Sequence, residues 1–119
     1  MIRDVSELEV YQVAMGLLEG VYSLTNQLPR SERHMVDQLR RAAKSIPANI
    51  AEGFGKKVYP KEFKRYLMIA MGSSDECVTH LRTLYVVTPR FRPQTVDLAN
   101  KFKILSKRLN KLRTSWLAD

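Results

Sequence analysis

The sequence contains no run of eighteen apolar residues, and it has one cysteine, two histidines and one tryptophan among its 119 residues. The missing apolar run excludes a membrane-spanning helix, which needs about 20 such residues in succession. A lone cysteine, Cys77, excludes an intrachain disulfide, and with only His34 and His80 to join it no zinc cluster of the usual spacings can be assembled. The opening MIRDVSELEV carries three acids, Asp4, Glu7 and Glu9, and lacks the basic-then-apolar layout of a secretory leader, so the chain is expected to stay in the cytoplasm without a membrane partner. Catalytic pairings are scarce too. No Glu-x-x-His pair is present for a di-metal bundle site, and Cys77 falls on an apolar stripe, where an inert buried thiol is the expectation. Glu76 and His80 stand four apart and are expected to make a surface ion pair. Neither an enzyme nor a cofactor, metal included, is expected.

What is present is positive charge, and it is unevenly placed. The formal net charge is +8, with 20 Lys and Arg against 12 Asp and Glu. Residues 1–34 are acidic on balance and 67–99 are neutral, so the whole excess lies in 35–66 and 100–119. Clustered cations attract polyanions, of which nucleic acid is the commonest in a cytoplasm. The candidate contacts are Arg40, Arg41 and Lys44, then Lys56, Lys57, Lys61, Lys64 and Arg65, then Lys101, Lys103, Lys107, Arg108 and Lys111, with Arg113 beyond them. Lys103, Lys107 and Lys111 recur at four-residue spacing, a ridge suited to a phosphate backbone or simply a solvated helix face. There is no helix-turn-helix signal, and Tyr59, Phe91 and Trp116 are expected to pack rather than stack on bases.

Apolar periodicity predicts four helices and no strand. The first covers 6–27, with Ser6 as N-cap, Glu9 completing a capping box and Pro29 marking the stop. The second starts after Ser31 and runs to about Glu52. The third has Pro60 in its first turn and a stripe from Phe63 to Tyr85. Two prolines in TPRFRPQ, 88–94, separate it from a fourth that carries Val96 through Trp116. Short joints favour antiparallel neighbours, so the expected architecture is all-α, one up-down-up-down four-helix bundle domain over 1–119. Two segments, Tyr66 to Ser74 and Val10 to Leu18, have almost no polar face. They predict cover from a second copy of the chain, with Gly16 and Gly72 as places of close approach.

SIPANIAEGFGK, 45–56, puts a proline inside the second helix. Leu39, Ala42, Ala43, Ile46 and Ile50 keep helical phase across Pro47, so the helix is predicted to continue, kinked there, with Gly53 or Gly55 ending it. Gln38, Arg41, Ser45, Asn49 and Glu52 share one narrow arc beside the apolar stripe. This polar ladder is expected to satisfy carbonyls freed near the proline or to bond across an interface. Arg40 and Lys44 are expected to face outward.

QLRRAAKSIPANIAEGFGK followed by EFKRYLMIAMGSSDE resembles the 23S ribosomal RNA intervening-sequence protein family of four-helix bundle proteins, and the likeness extends to LEVYQVA and YSLTNQLP. Its most specific positions are Ser45, Ile46, Pro47, Asn49, Ile50, Ala51, Glu52 and Gly53, then Gly72, Ser73 and Glu76. The resemblance implies an antiparallel bundle assembling as a ring-like homopentamer, encoded in some bacteria within an insert of the large-subunit ribosomal RNA gene. The family is also similar to the accessory variability protein of diversity-generating retroelements, a basic pentameric bundle that binds nucleic acid and a reverse transcriptase. The resulting expectation is a non-catalytic homo-oligomer that binds structured RNA or DNA; the alternative is an oligomeric scaffold for a protein partner.

Overall fold

A computed structural model of the chain describes residues 2–116. The apolar stripes become four helices, α1 (Glu9–Thr25), α2 (Arg33–Phe54), α3 (Pro60–Val87) and α4 (Arg92–Ser115), and no strand occurs among the described residues. One-turn 3-10 segments, Val5–Glu7, Arg30–Glu32 and Pro89–Phe91, lead into α1, α2 and α4. No described helix is long and apolar enough to cross a membrane.

The helix starts correct the sequence reading. Ser6 does not cap α1: the capping box is Asp4 with Glu7, which closes the 3-10 turn, and Leu8 stands at the start of α1 with no side-chain cap. Ser6 instead donates its N–H to Asp4 Oδ2 at 2.9 Å. The box thus sits two residues upstream, on the 3-10 turn Val5–Glu7, and keeps its three-residue spacing. Ser31 likewise falls inside the turn before α2 rather than capping it. Pro89 opens the turn before α4, and Pro93 occupies the first turn of α4 itself, where its missing N–H costs nothing.

Helix α2 runs unbroken through Pro47, which is buried. Gly53 lies within that helix, and Gly55 ends it in an ordinary right-handed conformation at φ −63°. The role of Gly53 is space. A Cβ there would stand 2.6 Å from Tyr66 Cβ and 3.0 Å from Phe63 Cδ1, so glycine lets α2 and α3 approach closely. Gly20 does the same against Leu98 of α4.

Each helix packs on two others, α1 on α2 and α4, α3 on α2 and α4. The centre is filled by fully buried Leu39, Ile46, Ile50, Phe63, Leu67, Leu81, Phe102 and Leu105, with Val21 from α1. Truncating a phenylalanine such as Phe102 to alanine in a core of this kind costs about 3–5 kcal/mol. Tyr85 and Val96, placed on apolar stripes by periodicity, are 40% and 45% exposed instead. At one end of the 48 Å long molecule the start of α3 meets the end of α4, where Phe63 packs edge-on against Trp116 at 4.6 Å. Midway, buried Ser74 donates to the Phe102 carbonyl at 2.9 Å and meets Ser106 Oγ at 2.8 Å, a polar tie between α3 and α4.

Candidate nucleic-acid interface

The two basic stretches of sequence come together in part. The Phe63–Trp116 contact sets the α2–α3 connection, with Lys56 and Lys57, and the first turns of α3, with Lys61, Lys64 and Arg65, beside the last turns of α4, with Lys111 and Arg113. Arg3 joins them: Ile2, Arg3, Lys57 and Trp116 line one concavity at this end. Lys103 lies farther along. It borders a groove between α3 and α4 with Arg82, Tyr85 and Asn100, whereas Lys111 and Arg108 border the groove between α4 and α1. The ridge Lys103–Lys107–Lys111 therefore crosses the outer face of α4 obliquely, over about 12 Å at 1.5 Å per residue.

Local pairing divides the thirteen candidate cations. Lys56 is paired with Glu52 at 2.9 Å, Arg65 with Glu62 at 3.2 Å, Lys101 with Asp97 at 3.0 Å and Arg108 with Glu9 at 3.1 Å. These exposed pairs contribute little to stability, but they cancel charge where they sit. Arg65 holds the Glu62 carboxyl below the usual carboxylate value, and Glu52 raises the Lys56 ammonium above the usual lysine value. Arg40 is not outward-facing as the sequence suggested. Its Nε donates to Thr25 Oγ1 and its Nη2 to Asn26 Oδ1, both at 2.9 Å, and the guanidinium lies 4.2 Å from the centre of the Tyr22 ring. Arg40 fastens α2 to the end of α1. The remaining eight, Arg41, Lys44, Lys57, Lys61, Lys64, Lys103, Lys107 and Lys111, have no carboxylate partner within 4.0 Å among the described residues.

The polar ladder on α2 resolves into local bonds. Ser45 Oγ donates to the Ala42 carbonyl at 2.7 Å, and Asn49 Nδ2 donates to the Ser45 carbonyl at 2.8 Å. Both acceptors flank the segment where Pro47 withholds its N–H from the Ala43 carbonyl. Glu52 is occupied by Lys56, Arg41 is exposed, and Gln38 is half-buried. Of the other positions singled out, Gly72 is exposed with nothing within 4 Å of a built Cβ, as is Gly16, and Ser73 is half-buried.

Cys77 is fully buried, and that burial pushes its thiol up to about 12. His80 Nε2 lies 3.1 Å from Glu76 Oε2, the local pair expected from the spacing. No group of three or more His, Cys, Asp or Glu side chains gathers among the described residues.

Sequence reasoning misplaced Tyr59. Four residues before Phe63, it would extend the buried stripe of α3 if the helix began one turn earlier. Pro60 starts the helix instead, and Tyr59, at φ −111° and ψ 89°, turns its ring outward to 66% exposure. Phe91 is buried and Trp116 packs on Phe63, as expected.

A family model described as 23S rRNA-intervening sequence protein matches residues 6–111. The chain belongs to that family. The match includes the SIPANIAEG run on α2 and the GSS run on α3, and every one of the thirteen candidate cations lies within it. No curated protein matches the chain. Within this family member, the signature positions Ser45, Asn49 and Gly53 are accounted for by side-chain bonds to the backbone and by close packing inside one chain. The cations without carboxylate partners are not.

Proposed function

We propose that this member of the intervening-sequence family binds structured RNA or DNA as a homo-oligomer in the cytoplasm, through phosphate contacts and without catalysing a reaction. The observation that carries the reading is the set of eight lysines and arginines with no carboxylate partner among the described residues, on α2, on the α2–α3 connection, on the first turns of α3 and along α4. Cations left unpaired on a folded surface are the groups that release condensed counterions when they meet phosphates.

The reading takes the bundle as up-down-up-down. Two contacts support it, Phe63 against Trp116 and Glu9 with Arg108, since each joins the start of one helix to the end of another. It also takes α2 as kinked at Pro47, supported by the Ser45 and Asn49 side-chain bonds to the carbonyls on either side of Ala43, whose own carbonyl loses its donor at Pro47. Self-assembly is supported by exposed Met15 and Gly16 on α1 and by Met68, Ile69 and Gly72 on α3, the sides of the two apolar segments that no helix of the same chain covers. Five is the number of copies that the family resemblance implies. Repeating the cation faces around a ring would let contacts that are weak singly act together.

The test is the affinity of the purified, nuclease-treated protein for ribosomal RNA fragments and for duplex DNA across a salt series, together with its mass in solution. Phosphate-led binding predicts a linear fall of log affinity with log salt, with about −0.9 of slope for each phosphate neutralised on duplex DNA. Absence of binding at low salt removes the proposal and leaves the cation faces to an acidic protein partner, the scaffold alternative.

A further inference from the structure

Val58 and Tyr59, in the α2–α3 connection, are 77% and 66% exposed, and no other described large apolar side chain is more exposed than Val58. The tyrosine is displayed from a fixed backbone. Its N–H donates to the Lys56 carbonyl at 2.9 Å, and its own carbonyl accepts from Glu62 N at 2.9 Å and Phe63 N at 3.2 Å. Pro60 follows and restricts Tyr59 further. The backbone that carries the ring is therefore set before any ligand arrives, which lowers the ordering cost of binding.

Charge surrounds the ring on both sides along the chain. Lys57 comes two residues before it, with its ammonium 4.2 Å from the centre of the Phe54 ring, and Lys61 and Lys64 follow on the first turns of α3. None of the three has a carboxylate within 4.0 Å among the described residues, whereas their neighbours Lys56 and Arg65 do. An exposed aromatic plate between unneutralised cations is the chemistry that receives single-stranded nucleic acid, with a base stacked on the ring and phosphates met by the cations. A duplex offers its phosphates but no free base face, so the ring adds nothing to duplex binding.

We infer that Tyr59 is a stacking platform for an unpaired base of single-stranded RNA or DNA, with Lys57, Lys61 and Lys64 holding the adjoining phosphates. This rests on the nucleic-acid reading above and narrows it to strands with unpaired bases at this end of the molecule. One valine and one tyrosine make a small wedge for a lipid surface, where basic elements usually carry several large apolar side chains.

The experiment compares the full-length wild type, Tyr59→Phe and Tyr59→Ala on an unstructured pyrimidine oligonucleotide, on a duplex of equal length, and on phosphatidylserine-containing vesicles, each across a salt series. Tyr59→Ala is expected to weaken oligonucleotide binding about tenfold, Tyr59→Phe to keep it, and duplex affinity to be the same in all three. The salt slope on the oligonucleotide stays constant in Tyr59→Ala, because stacking releases no counterions, whereas Lys61→Ala with Lys64→Ala lowers it. Equal oligonucleotide affinity for wild type and Tyr59→Ala overturns the platform while leaving the wider nucleic-acid reading in place. Failure of the wild type to bind either nucleic acid at low salt overturns both. Vesicle binding that Tyr59→Ala abolishes, with oligonucleotide affinity unchanged, overturns it in favour of an anionic lipid surface.

Discussion

Gly53→Ala is expected to destabilise the protein even though alanine is the better helix former. In an exposed helix interior the exchange gains about 1 kcal/mol. At Gly53 the new methyl would stand 2.6 Å from Tyr66 Cβ, 3.0 Å from Phe63 Cδ1 and 3.3 Å from the Phe63 carbonyl oxygen. Tyr66 Cβ is fixed to the α3 backbone and cannot turn away as a side-chain end can. Relief requires α2 and α3 to part, which loosens the packing of Phe63 and Phe54 around the site. Overpacking of this kind typically costs about 1–3 kcal/mol, and the contact is short enough to place it at the upper end, so a net loss of about 1–2 kcal/mol remains.

For a chain of 119 residues, 1 kcal/mol corresponds to about 4 °C in melting temperature, so Gly53→Ala should melt about 4–8 °C below wild type by circular dichroism. The control is Gly72→Ala, where nothing lies within 4 Å of the added carbon. Within one chain it should gain up to about 1 kcal/mol. If copies meet at Gly72, the same methyl lowers the oligomer mass seen by light scattering. A Gly53→Ala protein that melts at or above wild type would refute the argument that glycine is there for helix approach.

The other tests separate fold from binding. Arg40→Ala should cost about 1–2 kcal/mol by removing two hydrogen bonds and the Tyr22 contact, yet leave nucleic-acid affinity unchanged in the folded protein; reduced affinity without reduced stability would return Arg40 to the interface. Replacing Lys103, Lys107 and Lys111 with glutamate should preserve the helical spectrum and flatten the salt slope by about 3 on duplex DNA, and an unaltered slope would take the ridge out of the interface. Cys77, with its thiol raised to about 12 by burial, should react with a thiol reagent at pH 8 only as fast as the protein unfolds, so rapid labelling of the native protein would contradict the packing. If the Ser45 bond compensates for Pro47, Ser45→Ala should cost less stability in a Pro47→Ala background than in wild type, and additive losses in a double-mutant cycle would show the two to be independent.

Helix number, and the passage of α2 through Pro47, were legible because both depend on apolar phase, which the side chains carry locally. Ends were less legible. Capping at Asp4 rather than Ser6 depends on where the first turn closes, since Asp4 with Glu7 and Ser6 with Glu9 both satisfy the spacing. Arg40 was misread for a tertiary reason: its arc on α2 looks outward until α1 ends beside it and offers Thr25, Asn26 and the Tyr22 ring. Tyr59 was misread even though Pro60 was placed correctly in the first turn of α3: at the N-cap its side chain lies off the stripe that begins at Phe63 and stays 66% exposed. Gly53 or Gly55 was read as the stop because glycine commonly ends helices; Gly55 is that stop, whereas the cause of Gly53 is the Tyr66 Cβ facing it, which no local pattern contains.

The most specific stretch of sequence and the best functional candidates thus lie on different residues, for a physical reason. Pro47 removes a donor on the buried side of α2, and the segment around it has exacting local partners: Ser45 on the Ala42 carbonyl, Asn49 on the Ser45 carbonyl, Gly53 under Tyr66. Groups already bonded within the chain have little left for a ligand. Lysines on a helix face have the opposite property, since any of several positions can meet a phosphate and their order along the chain is loosely constrained. A binding surface of this type leaves a faint pattern in sequence while the bundle that carries it leaves a sharp one. Mutations in SIPANIAEG should accordingly act through stability or assembly, and those at the unpaired cations through affinity.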